Sequence, residues 1–521
     1  MRNNDAEVST VSADPGTSSV IVRPDRARSK GLALALLATA QLILALDYSI
    51  VNVALPDIGR SLGFTGGRVQ WVISAYALTY GGFLLLGGRT ADLLGRRRVW
   101  IGALVVFGLA SMAGGLAVDP VLLVASRLLQ GAAAAFLFPA TLALVDSTFA
   151  EGPERTRAIA VWGSAGASGL ALGVLSGGVL TGLFGWRAVF FVNVPIAVAL
   201  VALAPFVLRR ETRRLKGERF DLPGAFLVTA GTMAIVFALV EAPTAGWLSG
   251  VAVGSVAIGL ALLSAFVVVE LRTDSPLISM RLLRIRSLRG GLIVAAAFMS
   301  SFGMQLYFLT IYLQQILHDS PLRAGLSFLP LAISIVIGTQ VGGRVVGRLG
   351  IARTLAAGMG FGAAGLLLYM CLPATGSLAD LVPGMVVAGL GQGVAFTTMY
   401  VAASTGVPKG NEGVASAMAM SAQQLGGSVG LALLVALLTE RVTALGGTVT
   451  AFSIRPAGVA VSALHLNFAA QGLIALLGAA TALFIIGGGG AAALASATTG
   501  PPGIEIEHRQ RMRESVRAEG G

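Results

Sequence analysis

Residues 31–55 read GLALALLATAQLILALDYSIVNVAL, an apolar run whose only charged side chain is Asp47. As an α-helix rising 1.5 Å per residue it reaches about 37 Å, enough to cross a hydrocarbon core of about 30 Å. Comparable runs recur at roughly 69–87, 99–118, 121–145, 158–183, 188–208, 222–241, 247–269, 290–317, 324–343, 354–372, 379–402, 413–438 and 464–487. The pattern predicts an all-α polytopic membrane protein with fourteen spans. It also explains why 55% of the 521 residues are hydrophobic and only 12% are charged. A soluble domain carries about 25% charged residues, so a soluble enzyme, a secreted scaffold and a nucleic-acid binder are all disfavoured. Cys371 is the single cysteine, so no intrachain disulfide and no cysteine-based metal site is expected. Residues 1–30 are polar without a cleavable leader pattern, so the first span is expected to direct insertion.

The basic residues are sorted by side. Thirty of the 37 Lys and Arg fall in the tails and in alternate loops, six (Arg60, Arg68, Arg187, Arg323, Arg441 and Arg455) fall opposite, and Arg127 lies inside the fourth span. Because short cytoplasmic loops retain positive charge, this asymmetry places both termini in the cytoplasm and requires an even number of spans. The net charge of +12 then reports topology and contact with anionic lipid on the cytoplasmic face, with no nucleic-acid partner. Trp71, Trp100, Trp186 and Trp247 stand at span ends and read as an interfacial belt. The Ala, Gly and Arg bias fits a GC-rich bacterial genome and hence a bacterial cytoplasmic membrane.

An internal repeat divides the chain. Gly88-Arg89-Thr90-Ala91-Asp92-Leu93-Leu94-Gly95 after span 2 matches Gly343-Arg344-Val345-Val346-Gly347-Arg348-Leu349-Gly350 after span 10 in a Gly-Arg-x4-Leu-Gly frame. Two spans later, Gln130-Gly131 is echoed by Gln392-Gly393. Both loop copies fall on the cytoplasmic side, so the repeats are parallel, as in carriers built from two similar bundles about a midplane cavity. The expected organisation is a tail (1–30), a six-helix bundle (31–208), a basic linker with two extra spans (209–289), a second six-helix bundle (290–488) and a second tail (489–521).

Few residues can carry chemistry. No nucleotide-binding or zinc-helix motif occurs, and His318, His465 and His508 lie apart at span ends or in a tail, so neither a metal nor a cofactor is expected. Asp47 interrupts the first span. A carboxylate at that depth costs several kcal/mol unless it is paired or faces a wet cavity, which makes it a candidate proton carrier or a structural hydrogen-bonding group. Counting along the helices puts Asp47 and Arg127 at comparable depth in the outer half of the membrane, where they could pair. Alternatively Arg127 reaches back to the surface. Asp92 sits among four arginines in the Gly88 to Arg98 loop, which is also readable as an ordinary solvated turn. Gly169, Gly173 and Gly177 recur every fourth residue on the fifth span, followed by Gly178, and suit either close helix packing or a sliding contact between the halves. Tyr48, Asn52, Tyr76, Gln130, Gln423 and Gln424 are polar or aromatic groups in apolar helices, fit for lining a substrate cavity or for bonds between helices.

The stretch from Leu46 to Pro56, LDYSIVNVALP, resembles the first-helix signature of the fourteen-helix drug:proton antiporter branch of the major facilitator superfamily. Trp71-Val72-Ile73-Ser74-Ala75-Tyr76, the Gly88 to Arg98 loop, Arg127-Leu128-Leu129-Gln130-Gly131, Gly185-Trp186-Arg187 leading to Asn193-Val194-Pro195, and Gln424-Leu425-Gly426-Gly427-Ser428-Val429-Gly430 are similar to the same branch in order and position. The resemblance implies a monomeric, non-enzymatic exporter of hydrophobic drugs driven by proton entry. It implies Asp47 as the coupling carboxylate and Arg127 as its partner or relay. It also implies a conformational switch at Gly88, Arg89, Asp92, Gly95, Arg96 and Arg97. The fifth span departs from the family's Gly-Pro-x-x-Gly-Gly, with Val174 in the proline position. No acid is expected within spans 9, 10 or 13, which favours neutral or monocationic substrates. A proton-coupled symporter importing a small organic solute is the alternative reading.

Overall fold

The computed structural model describes residues 25–150, 152–208, 222–273, 282–408, 412–450 and 453–487. Nearly all of them are helical, because an apolar segment in lipid must close its backbone hydrogen bonds within itself. The first bundle contains α1 (Asp25–Leu62), α2 (Trp71–Leu94), α3 (Arg96–Gly115), α4 (Pro120–Thr148), α5 (Pro153–Phe184), α6 (Ala188–Phe191) and α7 (Asn193–Val207). α8 (Leu222–Ala245) and α9 (Gly250–Arg272) follow. The second bundle contains α10 (Arg286–Phe298), α11 (Gln305–Ile311), α12 (Pro321–Ser327), α13 (Leu329–Leu349), α14 (Ile351–Leu368), α15 (Leu378–Ser404), α16 (Glu412–Ala444) and α17 (Ala457–Thr481).

Some spans are broken. α6 and α7 form one span interrupted at Val192, since Pro195 has no N–H to give the Phe191 carbonyl one turn back. α10 and α11 form another, joined through the π-helical turn Met299–Gly303 and followed by a second at Tyr312–Ile316. Among the described residues thirteen helices are long and apolar enough to cross a membrane, and α5 adds the shorter apolar stretch Leu172–Phe184. Grouped in this way the described residues form fourteen spans in the expected order.

In the first bundle α1 runs along α5, α2 along α4, and α3 against α4 and α7. In the second, α13 and α14 flank α15, while α10 lies against α16 and α14 against α17. The bundles meet where α5 touches α12 and α2 touches α16. Gln314 in the second π-turn also donates to the Val53 carbonyl at 2.9 Å. α8 packs on both α2 and α16, so the inserted pair spans the seam on that side. A two-stranded hairpin, β1 (Thr448–Thr450) and β2 (Ser453–Arg455), joins α16 to α17.

Four expectations change. Gly88 to Arg98 is not a loop: α2 continues to Leu94 and α3 begins at Arg96, so the turn is Gly95 alone, whose φ of +97° suits glycine. Trp100 and Trp186 do not face the interface. Both are buried; the Trp100 indole donates to Thr141 Oγ1 at 2.9 Å, and Trp186 stacks edge-on against Phe190. Because α17 starts at Ala457, His465 lies inside a helix, its Nε2 2.8 Å from the Leu372 carbonyl. α16 also runs past the expected end of its span and includes Glu440, which accepts a 2.6 Å bond from the Trp247 indole. The tails up to residue 24 and from 488, His508 within the second, and residues 209–221 and 274–281 of the expected linker lie outside the described residues.

Candidate functional site

Asp119 caps α4 by accepting from the Leu122 N–H at 2.9 Å, and two helical turns further on Arg127 points into the first bundle. Asp47 reaches the same level from α1. Both are essentially without solvent contact, at 0% and 1% exposure, and they pair directly, Arg127 Nη1 donating to Asp47 Oδ2 at 2.7 Å. Such a pair is tolerated in a low-dielectric interior only when its remaining lone pairs and protons are also matched. Here they are. Asn193 Nδ2 donates to Asp47 Oδ1 at 2.6 Å, and Gln130 Nε2 donates to the same oxygen at 3.1 Å and to Ser111 Oγ at 2.7 Å. Arg127 donates through Nε to the Val72 carbonyl at 2.8 Å and through Nη1 to Gln130 Oε1 at 3.0 Å. Its guanidinium carbon lies 4.3 Å from the centre of the Tyr76 ring, a cation–π contact. Side chains from α1, α2, α3, α4 and α7 therefore converge on one charge pair.

Of the other residues singled out in the sequence, Tyr76 and Gln130 belong to this cluster. Tyr48 and Gln423 meet from opposite bundles at the Met299 thioether, each 3.8 Å from its sulfur. Tyr400, donating to Gln423 Oε1 at 2.8 Å, extends that contact. Asn52 turns back on the Tyr48 and Ser49 carbonyls of its own helix. Gln424 is buried against Gly81 on the α2–α16 seam.

The glycines of α5 divide. A Cβ on Gly169, Gly173 or Gly177 would run into the Leu42, Leu46 and Ile50 carbonyls of α1, so these three let the two backbones touch inside one bundle. Gly178 faces the other way, against Pro321 and Gly325 of α12, at the contact between bundles. In the candidate switch, Arg96 Nη1 donates to the Ala143 carbonyl at 3.0 Å, tying the start of α3 to α4. Gly88 lies beside Pro139, Arg89 is in the last turns of α2, and Arg97 stands in the first turn of α3. The Asp92 side chain lies outside what the structure describes.

Sequence reasoning missed Asn193 and Ser111 as parts of the charge cluster. Asn193 was visible as a polar residue in an apolar span beside Pro195. What was not visible is that its face of the span is turned toward Asp47. Met299 and Tyr400 were also missed, because a methionine and a tyrosine in apolar spans read as ordinary core.

The chain matches the sequence family described as Major Facilitator Superfamily over residues 37–431. It is 41% identical over 430 residues to the puromycin resistance protein pur8 of Streptomyces alboniger, covering 81% of this chain and 84% of the relative. It is 35% identical over 486 residues to the cephamycin export protein CmcT of Amycolatopsis lactamdurans, covering 92% and 96%. Among solved structures it is similar to an inward-facing bacterial homologue of the human lysosomal transporter Spinster, with a TM-score of 0.64, 15% identity and coverage of 88% and 97%, a likeness of fold alone.

Proposed function

The chain belongs to the Major Facilitator Superfamily, and we propose that it exports hydrophobic drugs or antibiotics, neutral or monocationic, in exchange for protons by alternating access. The observation that carries this reading is the fully buried Asp47–Arg127 pair, the charged centre of a mostly apolar bundle. An ionisable group held at such depth against its desolvation cost is a functional feature by default. Relatives whose names specify puromycin resistance and cephamycin export support the substrate class and the direction.

In this mechanism Asp47 holds Arg127 while it is charged. Proton arrival from outside removes that charge, yet Arg127 keeps the Val72 carbonyl, Gln130 Oε1 and the Tyr76 ring, so the cation is not abandoned. The change travels along α1, whose backbone lies against the glycines of α5. α5 in turn meets the second bundle at Gly178 and Gly325. Each net charge carried inward gains about 2.3 kcal/mol per 100 mV of membrane potential. Both termini face the cytoplasm of a bacterial cell, the monomer is the working unit, and Gly95 with Arg96 forms the turn that shifts between the two states.

The test is proton flux in everted membrane vesicles holding an imposed pH gradient, with a panel of lipophilic cations and antibiotics added to wild type and Asp47→Asn. Gradient collapse by some compounds in wild type, and by none in the variant, is expected. Equal responses in both proteins would remove Asp47 from the mechanism.

A further inference from the structure

Every oxygen of Asp47 is occupied by donors: Oδ2 by Arg127, and Oδ1 by both Gln130 and Asn193. That arrangement suits a carboxylate. A carboxylic acid needs one acceptor in place of one donor, and the neighbouring oxygens are mostly engaged. Gln130 Oε1 accepts from Arg127, and Ser111 Oγ accepts from Gln130. Asn193 Oδ1 is different. Asn193 is fully buried at the first residue of α7, and this carbonyl oxygen has no hydrogen-bond partner among the described residues. A buried amide with one end bonded and the other idle calls for an explanation. The bonded end lies 2.6 Å from Asp47 Oδ1.

We propose that Asn193 is a positioning residue for the coupling proton, its amide turning over so that Nδ2 donates to charged Asp47 and Oδ1 accepts from protonated Asp47. A hydronium ion gives up one O–H bond and leaves as water while its proton bonds to Asp47 Oδ1, and rotation about the Asn193 Cβ–Cγ bond replaces the N–H···O⁻ bond with O–H···O=C. No other covalent bond changes.

The charged and titratable groups facing Asp47 are few. α4 presents Arg127, α2 presents Tyr76, and Tyr48 is adjacent on α1 itself. α5 presents glycines, and α6 carries none. Tyr307 is the one such residue on α11, and Arg323 on α12 is exposed and paired with Asp319. Asn193 and Gln130 are therefore the neutral side chains bonded to Asp47, and of the two only Asn193 has a carbonyl oxygen without a partner among the described residues, since Gln130 Oε1 accepts from Arg127.

The inference rests on Asp47 being the proton carrier, and its test is separable from transport. Infrared difference spectra of the purified protein, titrated over pH, report the carboxylic C=O stretch that Asp47→Asn abolishes. In wild type that band should sit at the frequency of a hydrogen-bonded acid. In Asn193→Leu, similar in volume but with no polar atom, the band should rise to the frequency of a free acid. Asn193→Ala gives the same comparison should the leucine variant fail to insert. A band unmoved in a folded variant overturns the role of Asn193. Absence of any band removed by Asp47→Asn overturns the proton-carrier reading instead.

Discussion

The two bundles use the same helix positions for different chemistry. In the first, Gln130 on the fourth span bonds to Asp47 on the first, Nε2 to Oδ1 at 3.1 Å. In the second, its repeat partner Gln392 on the twelfth span bonds to Gln305 on the ninth, accepting from Nε2 at 2.7 Å. Where Asn193 on the sixth span completes the charged cluster, the fourteenth carries Asn467 and Gln471, also fully buried. The polar contact between the corresponding spans thus belongs to an ion-pair cluster in one half and is a neutral amide pair in the other. The position of Arg127, three residues before Gln130, is filled by Gly389 in the repeat.

The sharpest way to break this comparison is to remove the cation. Arg127→Leu leaves Asp47 buried with only amide donors, and unpairing a buried charge costs about 3–5 kcal/mol. A large drop in the thermal unfolding temperature of purified protein is expected. Asp47→Asn should cost less, because Arg127 keeps three other contacts. The double variant should recover much of the Arg127→Leu loss, a coupling that a double-mutant cycle measures directly. Additive costs would mean that the pair is not the organising interaction of the first bundle.

The glycines that follow the repeated glutamines test what the halves still share. A Cβ on Gly131 would strike the Tyr76 carbonyl, and one on Gly393 would strike the Ile335 carbonyl. Both are helix-on-helix backbone contacts with no room to give. Gly131→Ala and Gly393→Ala should each destabilise by about 1–3 kcal/mol, the usual cost of overpacking, in the same thermal assay. A cost in one bundle alone would show that packing, as well as charge, has diverged.

Much of this was legible in the sequence, and for definite reasons. Span positions followed from apolar length, since lipid forces helices wherever twenty apolar residues run together. The comparable depth of Asp47 and Arg127 followed from counting 1.5 Å per residue along two helices, with their pairing one of two readings open in the sequence. What was hidden depended on rotation about the helix axis and on breaks. Trp100 reads as interfacial by depth but faces inward, and Gly178 reads as one more member of the α5 glycine row but faces α12. Helix ends were also misplaced where charge suggested a loop: Gly88 to Leu94 stays helical because nothing before Gly95 requires the chain to turn.

The smallest effect comes from an ion pair of the same length in the same bundle. Lys30 Nζ lies 2.7 Å from Glu154 Oε1, joining the start of α1 to the start of α5, and Arg127 lies 2.7 Å from Asp47. The first pair is 39% and 43% exposed, the second 1% and 0%, so water and salt screen one and not the other. The hydrogen bond from Lys30 holds the Glu154 carboxyl below its usual range. A depressed carboxyl contributes stability above its unfolded pKa and loses it as pH falls through the folded value. The contribution should therefore be present at neutral pH and fade in acid. Glu154→Gln is expected to lower thermal stability barely or not at all at pH 7, with any difference from wild type vanishing in strong salt and below about pH 4. A loss at neutral pH that persists in high salt would mean that the α1–α5 seam depends on its ends, and not on the backbone contact at Gly169, Gly173 and Gly177.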